Sequence, residues 1–252
     1  MTEFHPLRAT KDVGSQSWQL LDKKAEELAR IAPSAEMPSM SHASWKDFDE
    51  VYEPSDDTYL LIDGIQSDFL PEFGNLRKDL YKNIVEIGSG SGVPIVYLAK
   101  LLPDAHPIAI DINPKALTLT RATAEANGVK NMETMECDLA SALLPKFHQA
   151  MDIVIFNPPY VPTPDDEVAG NGIEASWAGG ERGRRVVDRA LPQIAELLSR
   201  PHGICYMITV DDNEPEEIAS QLSQLGLEMA PLVRRRARNE YLSVQKITVI
   251  SK

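Results

Sequence analysis

The chain has 252 residues, 43% apolar and 25% charged, enough for one sizeable core with room for a small extension. It carries 38 Asp and Glu against 25 Lys and Arg, a formal net charge of −13. That balance argues against a broad phosphate-tracking surface and fits a basic protein partner better. No apolar run reaches the roughly 18 residues that span a membrane, the first residues lack a secretory pattern, and the two cysteines, Cys137 and Cys205, lack metal-ligand spacing.

Residues 1–47 differ from the rest. Leu21, Ala25, Leu28 and Ala32 share one face of a helix over residues 17–31. Pro33 and Pro38 break it, and residues 34–44 are polar and loop-like. This segment reads as a helical N-terminal extension with a flexible link, and residues 48–252 as one α/β domain. Ser55 or Asp56 caps a helix that runs to about residue 70. Thr58, near its start, serves as a capping residue or as a ligand contact.

Asn83 to Ile87 reads as a strand, Gly88-Ser89-Gly90-Ser91-Gly92 as a tight turn and Val93 to Leu102 as a helix, the opening of a doubly wound nucleotide-binding fold. A dinucleotide fingerprint from Gly88 needs a glycine where Val93 stands. The spacing instead resembles the first motif of methyltransferases that use S-adenosylmethionine. A second strand, Pro107 to Ile112, carries Asp111 where a carboxylate accepts from both ribose hydroxyls. Pro114 opens the next helix and Asn127-Gly128 ends it. Asn131 to Glu136 is a third strand. Asp138 after it can accept from an exocyclic adenine amine with Leu139 stacked nearby, or can simply cap a turn.

Met151 to Phe156 is a fourth strand and runs into Asn157-Pro158-Pro159-Tyr160. A strand that ends on a polar residue at its C-terminal end is where open α/β sheets place ligands. Asn157 offers one acceptor and two donors in a plane, two prolines fix the backbone, and Tyr160 adds a ring. The set suits a flat nitrogen-bearing group, an amide or an amino-substituted base. The loop from Val161 to Gly180, with Pro162, Pro164, Gly170, Gly172, Gly179 and Gly180, is longer than unstructured connections in compact domains usually are. Its Asp165, Asp166 and Glu167 either face basic residues of a substrate or serve solubility. Arg182 to Ser199 reads as a helix whose basic start, Arg182, Arg184, Arg185 and Arg189, is a solvated face. A fifth strand, Gly203 to Val210, and a helix, Glu214 to Leu225, follow. Leu227 to Arg235 and Leu242 to Ile250 then read as a hairpin. The result is a seven-stranded mixed sheet with helices on both faces, the class I methyltransferase architecture.

Five stretches occur in order: Val51-Tyr52-Glu53-Pro54-Ser55-Asp56-Asp57-Thr58, Glu86-Ile87-Gly88-Ser89-Gly90-Ser91-Gly92, Asp111-Ile112-Asn113-Pro114, Asn157-Pro158-Pro159-Tyr160, and Gly172 to Gly180 with its Trp177-Ala178-Gly179-Gly180. From about residue 48 onward the chain closely resembles the eukaryotic branch of the HemK family, the release-factor glutamine N5-methyltransferases. The Asn-Pro-Pro-Tyr motif is shared with enzymes that methylate amino groups of DNA and RNA bases.

The resemblance implies S-adenosylmethionine as cofactor and S-adenosylhomocysteine as product. It implies cofactor positions at Thr58, Glu86, Gly88, Gly90, Asp111, Asp138, Leu139 and Asn157. Asn157, Pro158, Pro159 and Tyr160 would meet the acceptor, with Asn157, Pro158 and Tyr160 carrying the catalysis. The implied acceptor is the glutamine of a Gly-Gly-Gln loop in the class-1 termination factor, alone or with its GTPase partner. The implied partner is a small zinc-binding activator subunit in a heterodimer; the zinc belongs to that subunit and this chain is expected to hold no metal. The expected location is the cytoplasm, with the nucleus as a second site. Lysine methylation on histone H4 stays open, as do amino-methylation of nucleic acid, which the acidic charge weighs against, and a non-catalytic binding module.

Overall fold

The computed structural model describes residues 15–168, 173–237 and 240–250. Gly170 and Gly172 of the long loop, and the first 14 residues of the expected extension, lie outside the described residues. Seven strands, β1 (Asn83–Ile87), β2 (His106–Asp111), β3 (Glu133–Glu136), β4 (Ile153–Phe156), β5 (Ile204–Val210), β6 (Leu227–Ala237) and β7 (Glu240–Val249), form one sheet in the order β3-β2-β1-β4-β5-β7-β6. β1 to β5 run parallel; β7 runs antiparallel to both β5 and β6. The terminal hairpin and the mixed sheet expected from sequence are therefore present. Its strands reach Ala237 and start again at Glu240, further than the expected ends at Arg235 and Leu242.

The central strands are buried on both faces, which is why they read as unbroken apolar runs. Side chains alternate across the sheet. Ile153 and Ile155 of β4 face one core, which they share with α1 (Ser15–Leu28), α2 (Asp56–Phe69) and α3 (Val93–Leu101). Val154 and Phe156 face the other, packed by α7 (Arg185–Leu197) and α8 (Pro215–Gln224). α4 (Pro114–Ala126) lies against β2 and β3, and α5 (Leu144–Phe147) and α6 (Asp165–Val168) are single turns.

Two readings of the sequence need correction. The segment expected as an extension with a flexible link is strapped to the domain. α1 packs on β6 and α2 and buries Leu21, Ala25 and Leu28. The Trp18 ring lies 4.2 Å from the Arg234 guanidinium, which also stacks on Tyr241 at 3.9 Å. Downstream, the Ser34 amide donates to Gln66 Oε1 at 2.8 Å and the Ser39 amide to Asn127 Oδ1 at 2.7 Å. The apolar spacing gives α1 a buried face but does not say what that face meets.

The second correction concerns the basic run. Arg182, Arg185 and Arg189 are about half exposed, as a solvated face expects, but Arg184 is not. Arg184 is buried, and its guanidinium donates to Asp188 Oδ1 at 2.7 Å and to the Asn213 carbonyl at 3.2 Å. Arg182 pairs with Glu214 and Glu217, Arg189 with Asp138, and Arg185 with Asp165. Asp165 is thus taken by the chain itself. α7 begins only at Arg185, because Arg182 and Gly183 sit at φ +56° and +67°, outside helical geometry.

Candidate active site

The parallel strands bring Gly88, Asp111, Asp138 and Asn157 to one edge of the sheet, each just past or at the C-terminal end of its strand. In the turn after β1, Gly88, Gly90 and Gly92 all have positive φ. Their reasons differ. A Cβ on Gly92 would stand 2.9 Å from the Thr120 side chain, so that glycine serves packing against α4. A Cβ on Gly88 or Gly90 would meet nothing within 4 Å. Those two glycines leave open space over the strand ends, into which a ligand can approach the backbone.

Asp111 borders this space. Its Oδ2 accepts from the Gly90 amide at 2.9 Å and its Oδ1 from the Asn113 amide at 2.8 Å. Each oxygen retains capacity for a hydroxyl donor. Burial pushes the Asp111 carboxyl above its ordinary range, and the backbone donors partly offset this. Asp138 is half exposed and its carboxylate pairs with Arg189; Leu139 is buried at φ +53°.

Glu86 is 1% exposed and accepts from the Ile95 amide in the first turn of α3 at 3.1 Å. Burial raises its carboxyl well above the usual range, more than that one donor lowers it. Ionising Glu86 therefore costs the folded chain stability as pH rises from the unfolded value to the folded one. Below the unfolded value, near about 4.3, both states are protonated and the cost is absent. Glu86→Gln is expected to melt higher than wild type at neutral pH. The difference should close as pH falls through the ordinary carboxylate range, as thermal melts across pH will check.

Ser55 is the N-cap of α2, and its amide donates to Thr58 Oγ1 at 3.3 Å in a capping box. Thr58 thus fixes the helix start. The residue next to it, Asp57, receives no role from the sequence reading, yet the site converges on it. Asp57 is 3% exposed. Its Oδ2 accepts from Asn157 Nδ2 at 3.0 Å and from the Tyr160 hydroxyl at 3.3 Å; the Tyr52 hydroxyl lies 3.2 Å from both oxygens; the Thr58 amide donates to Oδ1 at 2.7 Å. Burial, with the Asp57 carboxylate adjacent, pushes both phenols above their usual range, so both stay protonated and donate. The other end of the Asn157 amide differs. Its Oδ1 is buried and has no partner among the described residues.

Asn213, which the sequence reading also passed over, holds the turn. It is fully buried in the short turn after β5, and its Nδ2 donates to the Tyr160 carbonyl at 2.8 Å and to the Arg182 carbonyl at 3.0 Å. Its Oδ1 accepts from the Val210 amide at 2.8 Å. The long loop is zipped at its stems, with the Val161 amide on the Trp177 carbonyl at 3.0 Å and the Gly179 amide on the Val161 carbonyl at 2.8 Å. Beside the site, Phe48, Val51, Tyr52, Glu53, Pro54, Ser55, Ile173 and Trp177 line an open cleft of about 440 Å³. Tyr52 lines that cleft and also reaches Asp57.

Residues 66–175 match the family model of the methyltransferase small domain. The human methyltransferase HEMK2 is 41% identical over 212 residues, which cover 84% of this chain and 95% of the human one. The eRF1 methyltransferase catalytic subunit mtq2 of Schizosaccharomyces pombe is 31% identical over 221 residues, covering 83% of this chain and 94% of that one. The solved structure of the E. cuniculi Mtq2–Trm112 complex, responsible for methylation of the eRF1 translation termination factor, matches with a TM-score of 0.58 and 25% identity, over 79% of this chain and 98% of that one. With this sheet order and these relatives, the chain belongs to the eukaryotic branch of the HemK family, among the S-adenosylmethionine-dependent class I methyltransferases.

Proposed function

We propose that this chain is the catalytic subunit of a protein methyltransferase whose acceptor is the glutamine side-chain amide in the Gly-Gly-Gln loop of the class-1 translation termination factor. The observation that carries this reading is Asn157 Oδ1, a buried acceptor with no partner among the described residues at the end of β4. Such an oxygen is costly until a donor reaches it, and a planar amide supplies one.

The cofactor reading rests on fit. Gly88 and Gly90 leave room over the strand ends, and Asp111 has hydroxyl-accepting capacity beside them. In this reading Asp111 takes the ribose hydroxyls, Asp138 and Leu139 flank the adenine, and Thr58, Glu86 and Asn157 line the remaining wall. S-adenosylmethionine, when bound, supplies a methyl group activated on a sulfonium.

An amide nitrogen is a poor nucleophile, because its lone pair is delocalised into the carbonyl. Asn157 Oδ1 and the Pro158 carbonyl each accept one of its hydrogens. That holds the nitrogen and favours the positive charge that develops on it as the new C–N bond forms. Tyr160 packs on the amide plane beside Pro159. The methylated nitrogen is acidic enough to release a proton to water, so no strong base is required.

The Mtq2–Trm112 complex of the E. cuniculi relative and the catalytic-subunit name of the fission-yeast one support an activator subunit for this chain; in this proposal any zinc of the pair belongs to that subunit. This reading places the protein in the cytoplasm. A second reading, lysine methylation on histone H4 in the nucleus, draws support from charge. The Asp57 carboxylate lies beside Asn157 and Tyr160 in a chain of net charge −13, which favours a cationic acceptor chain.

The test offers radiolabelled methyl donor and purified protein, with and without the activator, to termination factor, histone H4 and DNA side by side. Label is expected in the termination factor and should vanish when its Gly-Gly-Gln glutamine is replaced by alanine. Label in H4 alone selects the second reading; label in DNA alone sinks both.

A further inference from the structure

We propose that Asp57 is the positioning residue that fixes which edge of the Asn157 amide faces the acceptor; the inference rests on the reading of Asn157 given above. A side-chain amide has nearly the same shape after a half-turn, but its two edges have opposite hydrogen-bonding sense. With the oxygen toward the acceptor, Asn157 receives an N–H. With the nitrogen there, donor would meet donor and the acceptor would be turned away. Shape alone does not choose between the two.

Asp57 chooses. A carboxylate only accepts, so the amide edge at 3.0 Å from its Oδ2 must be the nitrogen. At 3% exposure, water is not available to take its place. The carboxylate is itself held. The Thr58 amide fixes Oδ1 at 2.7 Å, and the Tyr52 hydroxyl lies across both oxygens. The start of α2 favours negative charge there, and Leu60, Leu61 and Ile65, all fully buried, anchor the helix in the core. Through Tyr160 the same carboxylate also sets the other polar side chain of the turn. A charged acceptor behind the amide further polarises it and enriches the outward oxygen.

A bland alternative exists: Asp57 is one more acid in the first turn of a helix. Asp57→Asn separates the two. The substituted side chain keeps its shape. The Thr58 backbone amide cannot turn, so the new oxygen stays on it and the new NH2 points at residue 157. Asn157 must then present oxygen inward and nitrogen to the acceptor. Asp57→Asn is expected to lower kcat about 100-fold, with the melting midpoint and the affinity for S-adenosylhomocysteine unchanged.

Combining Asp57→Asn with Asn157→Asp restores the complement, since an inward NH2 meets a carboxylate that keeps one oxygen for the acceptor. That pair should recover at least about tenfold in kcat over Asp57→Asn alone. A merely structural role predicts no such recovery, because both substitutions preserve volume. Measured on the complex with the activator, wild-type turnover by Asp57→Asn beside an inactive Asn157→Ala overturns the proposal, as does a double variant no better than Asp57→Asn. A fully active Asn157→Ala overturns instead the acceptor assignment beneath it.

Discussion

Asn157→Ala is expected to lower methyl transfer by about 100- to 1000-fold, the size seen when one preorganised polar group is lost from a developing charge. Folding should persist, and cofactor affinity should fall far less than turnover, since Asp111, Asp138 and the glycine turn still hold the cofactor in this reading. The stability side is nearly balanced. The substitution removes one hydrogen bond to the Asp57 carboxylate, worth about 1.5–3 kcal/mol, but it also removes Oδ1, a buried oxygen with no partner among the described residues. Asp57 keeps the Tyr52, Tyr160 and Thr58 donors, so no carboxylate is left bare. The rate side has no such offset. Without Oδ1 the acceptor nitrogen loses one of the two groups proposed to hold its hydrogens. The loss should fall on kcat and kcat/KM alike, as for an interaction that strengthens in the transition state. Calorimetry with S-adenosylhomocysteine and single-turnover transfer to the termination factor will separate binding from chemistry. Retained turnover removes Asn157 from the catalytic role.

The sheet was legible because its signals are local. Buried strands read as apolar runs, Gly88 to Gly92 as a turn, and the absence of a helical segment between Arg235 and Leu242 as a hairpin. Asn157 was legible for the same reason, a polar residue at the end of an apolar strand. Asp57 was not. It stands beside Asp56 in the first turn of α2, and helix chemistry accounts for both acids equally well. Only the fold, by laying the start of α2 over the end of β4, makes one of them a buried hub. Asn213 is hidden in the same way, since its three partners lie on β5, on the turn after β4 and before α7. The arginines of the basic run have helical neighbours in sequence, but all four pair with acids remote from it. Where a side chain's partner is set by topology, composition and period do not name it.

Gly183→Ala is expected to destabilise the chain by about 2–5 kcal/mol, combining left-handed backbone strain of about 1–2 kcal/mol with overpacking of about 1–3 kcal/mol, and to abolish methyl transfer. Gly183 sits at φ +67°, and a Cβ there would lie 1.8 Å from the Tyr160 carbonyl oxygen and 2.5 Å from Asn213 Nδ2. Neither neighbour is the free end of a flexible side chain. The first is backbone in the turn that carries Asn157; the second is fully buried and held by three hydrogen bonds. The turn must therefore move, and with it the oxygen proposed to meet the acceptor. Gly128→Ala supplies the control. Gly128 has φ +77° and nothing within 4 Å of its Cβ position, so it carries the backbone strain without the clash. At about 2–4 °C per kcal/mol for a chain of this size, the two variants should separate clearly in thermal melts. Gly128→Ala should keep its turnover. If Gly183→Ala melts with Gly128→Ala and also turns over normally, the close approach of Gly183 to the Tyr160 carbonyl does not hold the turn in place. If it melts far lower and is inactive, the long loop and the acceptor turn form one rigid unit, and the Gly179 to Gly183 segment belongs to the catalytic framework as much as Asn157 does.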